Sequence, residues 1–193
     1  MNKTIDSIEK KLKHLEDDLL EAKALLHQTK QTILKEGSLQ VFSYFNYSLR
    51  LPENSVNSPL DILGSFIIKN PGKRTLNHPY ICLKLNQNKS ISFSGKISPQ
   101  DLIDHDFSPI HMQTWYYIDQ ESEVLAHKKG EYWLEPISVK ELPSDHSLSF
   151  ANFMIRLDRT KMEGPFKVEG AVFGEELKEG QRALNKIQVN VIK

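Results

Sequence analysis

Between residues 5 and 33 the seam side chains recur in alternating steps of three and four: Ile5, Ile8, Leu12, Leu15, Leu19, Ala22, Leu26, Thr29 and Ile33. Only Thr29 is polar. That spacing is the a/d pattern of a coiled-coil helix, in which one narrow face is buried against a second helix. Thr4 or Asp6 can cap the first turn, with Glu9 three residues beyond Asp6. Gly37, preceded by Lys35, is the stop. A run of about 30 residues rising about 1.5 Å each makes a rod of about 45 Å.

The flanks of the seam carry direction. Lys11 precedes an a position and faces Glu16 of the next heptad; Asp18 faces Lys23 in the same way. Both pairs attract when neighbouring helices run parallel and in register. Leucine at a, with isoleucine at one d, leans away from a dimer, so a parallel trimer is favoured. Leu20, Leu25 and Leu34 lie off the seam and widen the apolar stripe. They serve either a larger bundle or packing of the helix on the rest of its own chain.

After Gly37 the period changes to two. Alternating runs lie at 38–49, 63–69, 80–86, 90–97, 115–118, 132–139, 148–157, 166–173 and 184–192, separated by turn signals such as Asn70-Pro71-Gly72 and Glu163-Gly164-Pro165. The runs at 80–86 and 90–97 read as an antiparallel hairpin across Asn86-Gln87-Asn88. Ser98-Pro99-Gln100-Asp101 reads as a short helix start. Little helix separates the strands, so a parallel sheet has no room for its crossovers. The expected fold is mainly β: a coiled-coil helix over 1–36, then an antiparallel β-sandwich head over 38–193. Residues 64–72 (GSFIIKNPG), followed by Ile81-Cys82-Leu83, resemble the early strands of bacterial immunoglobulin-like modules. The resemblance implies an immunoglobulin-like sandwich, and a binding or spacing module rather than an enzyme.

Charge narrows the partners. Lysine plus arginine and aspartate plus glutamate number 25 each, and residues 1–36 hold seven of either sign. No global field draws in nucleic acid or an anionic membrane. No apolar run approaches the roughly 18 residues of a spanning helix, and the N-terminal stretch is too charged for an export signal. The one cysteine, Cys82, can form no internal disulfide. These features place the chain in the cytoplasm, or in a particle assembled there such as a phage or spore layer.

Several residues invite a chemical role, and each has a plainer one. Asp101, Asp104, His105, Asp106 and His111 share one segment, but the spacing fits no calcium loop or zinc signature. An acidic helix start and a solvated loop explain it. Trp115, Tyr116, Tyr117, Tyr132 and Trp133 form two aromatic clusters. Strand alternation sends Trp115 and Tyr117 to the core and leaves Tyr116, Tyr132 and Trp133 as candidates for a partner or a sugar. Cys82 sits in antiphase to Ile81 and Leu83 with no activating neighbour, so it is expected to be structural. Ser90, Ser92 and Ser94 lie on a wet strand face without the glycines of a nucleophile elbow. The nine glycines are scattered singly, so no phosphate loop exists. No enzyme, cofactor or metal is expected. The expected function is a self-associating interaction protein whose heads bind another protein. The alternatives are a particle subunit and a sugar-binding head.

Overall fold

The computed structural model describes residues 11, 13–16, 18–20, 23, 37–51, 58–86, 91–98, 114–162 and 164–190. The chain divides into two compact units, Met1–Ser38 and Leu39–Lys193. The described residues before Gly37 are helical. In that unit Leu15, Leu19 and Leu20 are exposed at 66%, 55% and 74%.

The second unit is mainly β. In chain order it contains β1 (Phe42–Arg50), β2 (Leu60–Asn70), β3 (Leu76–Asn77), β4 (Tyr80–Leu85), β5 (Ile91–Ser94), β6 (Ile97–Ser98) and β7 (Trp115–Tyr117). A helix, α1 (Gln120–Lys129), follows. The chain continues as β8 (Glu131–Pro136), β9 (Glu141–Leu142), β10 (His146–Leu157), β11 (Phe166–Gly174), β12 (Leu177–Arg182) and β13 (Ile187–Val189). A four-stranded sheet has the order β1-β2-β10-β5. A seven-stranded sheet runs β12-β11-β4-β8-β7-β6, with β13 also on β11. β3 and β9 form a small separate pair. Every pairing is antiparallel except β6 with β7, where Ile97 and Ser98 run parallel to Trp115 and Tyr116. The seven-stranded sheet is therefore mixed, while the four-stranded sheet is antiparallel throughout.

The two sheets share one core. Ile62, Phe66, Ile68, Phe150, Phe153 and Ile155 come from the first sheet; Ile81, Leu83, Trp115, Leu134, Val168 and Val172 come from the second. At Gly170 on β11 the two sheets approach closely: a Cβ there would overlap the Phe66 ring and lie 2.9 Å from Phe45. Phe45 and Phe66 pack with centroids 4.8 Å apart, and Trp115 meets Phe150 edge-on at 5.7 Å. In β10 the register shifts between Phe150 and Phe153, and Asn152 takes a left-handed φ of 57°. This bulge changes the phase of the strand. Strict alternation would have turned Ala151 inward; instead Phe150 and Phe153, three residues apart, both reach the core at 0% exposure.

The expected hairpin of residues 80–86 with 90–97 does not form. β4 lies between β11 and β8, while β5 pairs with β10 in the other sheet. Asn86 marks the departure: its amide donates to the Pro165 carbonyl at 2.8 Å and its oxygen accepts from Lys167 N–H at 2.6 Å. The side chain thus reinforces the ladder to β11, in which Asn86 N–H also donates to the Lys167 carbonyl at 3.2 Å. The link after β12 closes part of the β1 edge. Leu184 N–H donates to the Ser43 carbonyl, and the Asn185 amide both donates to and accepts from the backbone of Phe45.

Helix α1 joins β7 to β8 and was not expected from the sequence. Asp119 caps it, accepting from Ser122 N–H at 2.6 Å, and Gly130 ends it in the left-handed region. Lys128-Lys129-Gly130, expected as a turn, is the end of this helix. Likewise Lys178-Glu179-Gly180 lies within β12, and among the described residues of the expected last strand Ile187–Val189 form the strand β13.

Candidate functional site

The outer face of the seven-stranded sheet gathers the side chains with the most chemistry. Pairing registers order them in rows across the strands. Arg182, Ala171, Cys82 and Trp133 stand side by side on β12, β11, β4 and β8. Below them lie Glu169, Lys84 and Glu131. Above them Phe173 faces Tyr80, and Tyr116 faces Glu135. Alternation puts these on one face because Ile81, Leu83, Leu134, Val168 and Val172 occupy the other.

Three rings form the centre of this face. Tyr80 and Phe173 stack with centroids 5.1 Å apart and planes 9° from parallel; Trp133 tilts against Phe173 at 5.2 Å. Gly180, at φ +71°, is what lets Phe173 lie flat: any Cβ there would strike the ring.

Trp133 separates two depressions. The larger, about 940 Å3, runs over Tyr80 and Trp133 towards the start of α1. Asp119, Glu121, Glu131, Glu135 and Glu175 line it, against Lys178 and His78. The smaller, about 540 Å3, lies over Ala171 and Cys82; Trp133 and Phe173 line it, together with Lys84, Arg182 and Lys186. Its neighbour is acidic and it is basic, with the indole as the partition. Lys84 is held by Glu131 at 2.7 Å and Lys140 by Glu135 at 3.2 Å. Such exposed pairs position side chains more than they stabilise the fold. The Tyr116 phenol is pushed up, by burial first and then by the Glu135 charge, so it remains a neutral hydroxyl.

Cys82 forms part of the smaller depression's lining and is chemically quiet. Burial, reinforced by Glu131, pushes its thiol up to about 12. A rise from 9.0 to about 12 lowers the thiolate fraction about a thousandfold at neutral pH, and the greater nucleophilicity of the more basic thiolate recovers part of it. Maleimide labelling of the folded protein should therefore run about thirtyfold or more slower than in denaturant. Equal rates would show an accessible, reactive thiol.

The residues singled out from sequence separate. Tyr116 and Trp133 do lie on the outer face. Tyr132 does not: it shares parity with Leu134 and Pro136, and its ring packs inward on Phe93 with centroids 4.3 Å apart. It is half-buried against the core, on the face of the sheet opposite Trp133. Trp115 and Tyr117 are buried, as alternation required. Of the seam, Leu15 and Leu19 are described and exposed. Ile5, Ile8, Leu12, Ala22, Leu26, Thr29 and Ile33 lie outside the described residues, as do Asp101, Asp104, His105, Asp106, His111 and Ser90. Ser92 and Ser94 are exposed on β5. Among the described residues no cluster of three His, Cys, Asp or Glu side chains could hold a metal, and no helix is long and apolar enough to cross a membrane. Sequence reasoning missed Tyr80 and Phe173. Their antiphase to Ile81 and Val172 was visible, but not that β4 and β11 are neighbours.

No protein-family model matches the chain, and no curated protein matches it. Among solved structures it is similar to a FixG-related protein from Vibrio parahaemolyticus, at 7% identity and a TM-score of 0.32, over 76% of this chain and 94% of that one. It is also similar to an inactive mutant of a GH20 exo beta-N-acetylglucosaminidase from Vibrio harveyi, at 11% identity and a TM-score of 0.29. That match covers 79% of this chain but only 18% of the other.

Proposed function

We propose that this chain is a non-enzymatic interaction protein: a coiled-coil stalk that ties copies together in parallel and presents immunoglobulin-like β-sandwich heads to a partner protein. The observation that carries the reading is the outer face of the large sheet, where half-exposed Trp133, Phe173 and Tyr80 stand between two depressions. Aromatic side chains set among charges are the usual anchors of protein interfaces. Two sheets around one core suit a sandwich. The stalk rests on the a/d seam from Ile5 to Ile33 and on the exposure of Leu15 and Leu19. Joining several weak heads multiplies their hold on a multivalent partner without new contacts.

Light scattering tests both parts. The whole chain should give a multiple of its 22.2 kDa mass, a trimer for preference. A fragment spanning Leu39–Lys193, the second compact unit, should be monomeric, with β-type circular dichroism and one cooperative melt. A full-length monomer at tens of micromolar would rule out the stalk. An insoluble fragment would show that the head needs the helix to fold.

A further inference from the structure

The depression on the Arg182 side of Trp133 has the make-up of a small-molecule site. Its floor is built from short side chains, Ala171 on β11 and Cys82 on β4, paired in register. Larger residues in the same row, Trp133 and Arg182, bound that floor at either end. Phe173 adds a second ring to the lining. The thiol, pushed up to about 12, presents a neutral surface. Its volume of about 540 Å3 falls within the range of ligand pockets, roughly 300–1,000 Å3.

Charge supplies the orientation. Lys84 already has Glu131 as its partner. Arg182 and Lys186 have no ion-pair partner among the described residues, and Glu169 is the one carboxylate among the lining residues. Across Trp133 the lining turns acidic, so an anionic group is favoured only on the Arg182 side. We propose that this slot binds a small aromatic carboxylate, its flat body over Ala171 and Cys82 against the indole of Trp133, its carboxylate on Arg182 and Lys186. Guanidinium suits this role because its planar donors meet a carboxylate two at a time. The proposal stands apart from the stalk and does not depend on the oligomeric state.

The probe is 2-naphthoate, with neutral 2-naphthamide as its control, titrated into the whole chain. The two tryptophan indole N–H resonances report, assigned by Trp133→Phe. Saturable movement of the Trp133 signal is expected, with buried Trp115 unmoved. Ala171→Leu fills the floor and should abolish the movement. Arg182→Gln should weaken naphthoate by about tenfold, the scale of one charge-assisted hydrogen bond, and leave naphthamide unchanged. Should Ala171→Leu fail to fold, the exposed Arg182→Gln carries the comparison alone. The proposal is overturned if the Trp133 signal stays still up to millimolar naphthoate, if naphthamide binds as tightly as naphthoate, or if Arg182→Gln binds both probes like the parent.

Discussion

Phe66→Ala should destabilise the head by about 3–5 kcal/mol, the range for removing a fully buried aromatic ring. Phe66 is 0% exposed, sits at the centre of β2, packs on Phe45 and lies over Gly170 of the facing sheet. Deleting it opens a cavity that neighbouring strands cannot close, because β1 and β10 pair with β2 on both sides. Against a total stability of about 5–15 kcal/mol for a typical domain, that change brings the head close to unfolding. Urea denaturation reads it directly; Ser92→Ala on the exposed face of β5 should stay within about 0.5 kcal/mol. Gly170 gives the argument a second arm. Gly170→Ala forces a methyl into the rings of Phe66 and Phe45 and should cost about 1–3 kcal/mol. In the Phe66→Ala background much of that cost should vanish, since the space has been vacated. Strict additivity of the two changes would mean that the sheets do not meet there.

In the proposed parallel assembly, Leu19→Asp should release single chains. Leu19 stands at the middle a position of the seam and is exposed at 55% within its own chain. In the proposed stalk, burying it against partner helices would contribute about 1.5–3 kcal/mol per chain. An aspartate there forfeits that gain and brings like charges together out of water. The association constant should fall at least about a hundredfold, so light scattering at micromolar concentration should read the mass of one chain while the head's melt is unchanged. Leu20→Asp lies one residue on and off the seam, and should leave the mass alone. If Leu20→Asp dissociates the protein and Leu19→Asp does not, the seam has been placed on the wrong face.

The strands were legible where one face is wet and the other dry. Tyr80–Leu85 alternates without a fault, and the structure buries Ile81, Leu83 and Leu85. Alternation says nothing about partners, however. β4 pairs with β11, more than eighty residues away in the chain, and no local signal competes with that long-range fit. Nor does alternation survive a bulge: Asn152 inserts its extra residue with only its tolerance of left-handed backbone as a clue. Helix α1 escaped notice for a different reason. Val124, Leu125 and Ala126 are consecutive, so they draw no stripe along a helix. Its ends were nonetheless written out in Asp119, Glu121, Glu123, Lys128, Lys129 and Gly130. The site shows the same limit. Tyr132 and Trp133 are adjacent and must face opposite ways, but composition alone does not decide which faces out. Leu134 and Phe93 settle it by drawing Tyr132 inside.

The backbone closure at Ser43 and Phe45 reaches beyond the single molecule. An edge strand is a template, and its open hydrogen bonds are where a foreign strand begins to add. On β1 the first stretch of that template is already taken by Leu184 and the Asn185 amide. What stays open is the far end, around Tyr47 and Leu49, both exposed. A strand adding there would meet the chain's own return segment at Asn185 when it tries to lengthen. Heads crowded together by a shared stalk, as proposed here, would run the greatest risk of fusing edge to edge. The carboxamide of one asparagine bolts the first stretch of that edge shut.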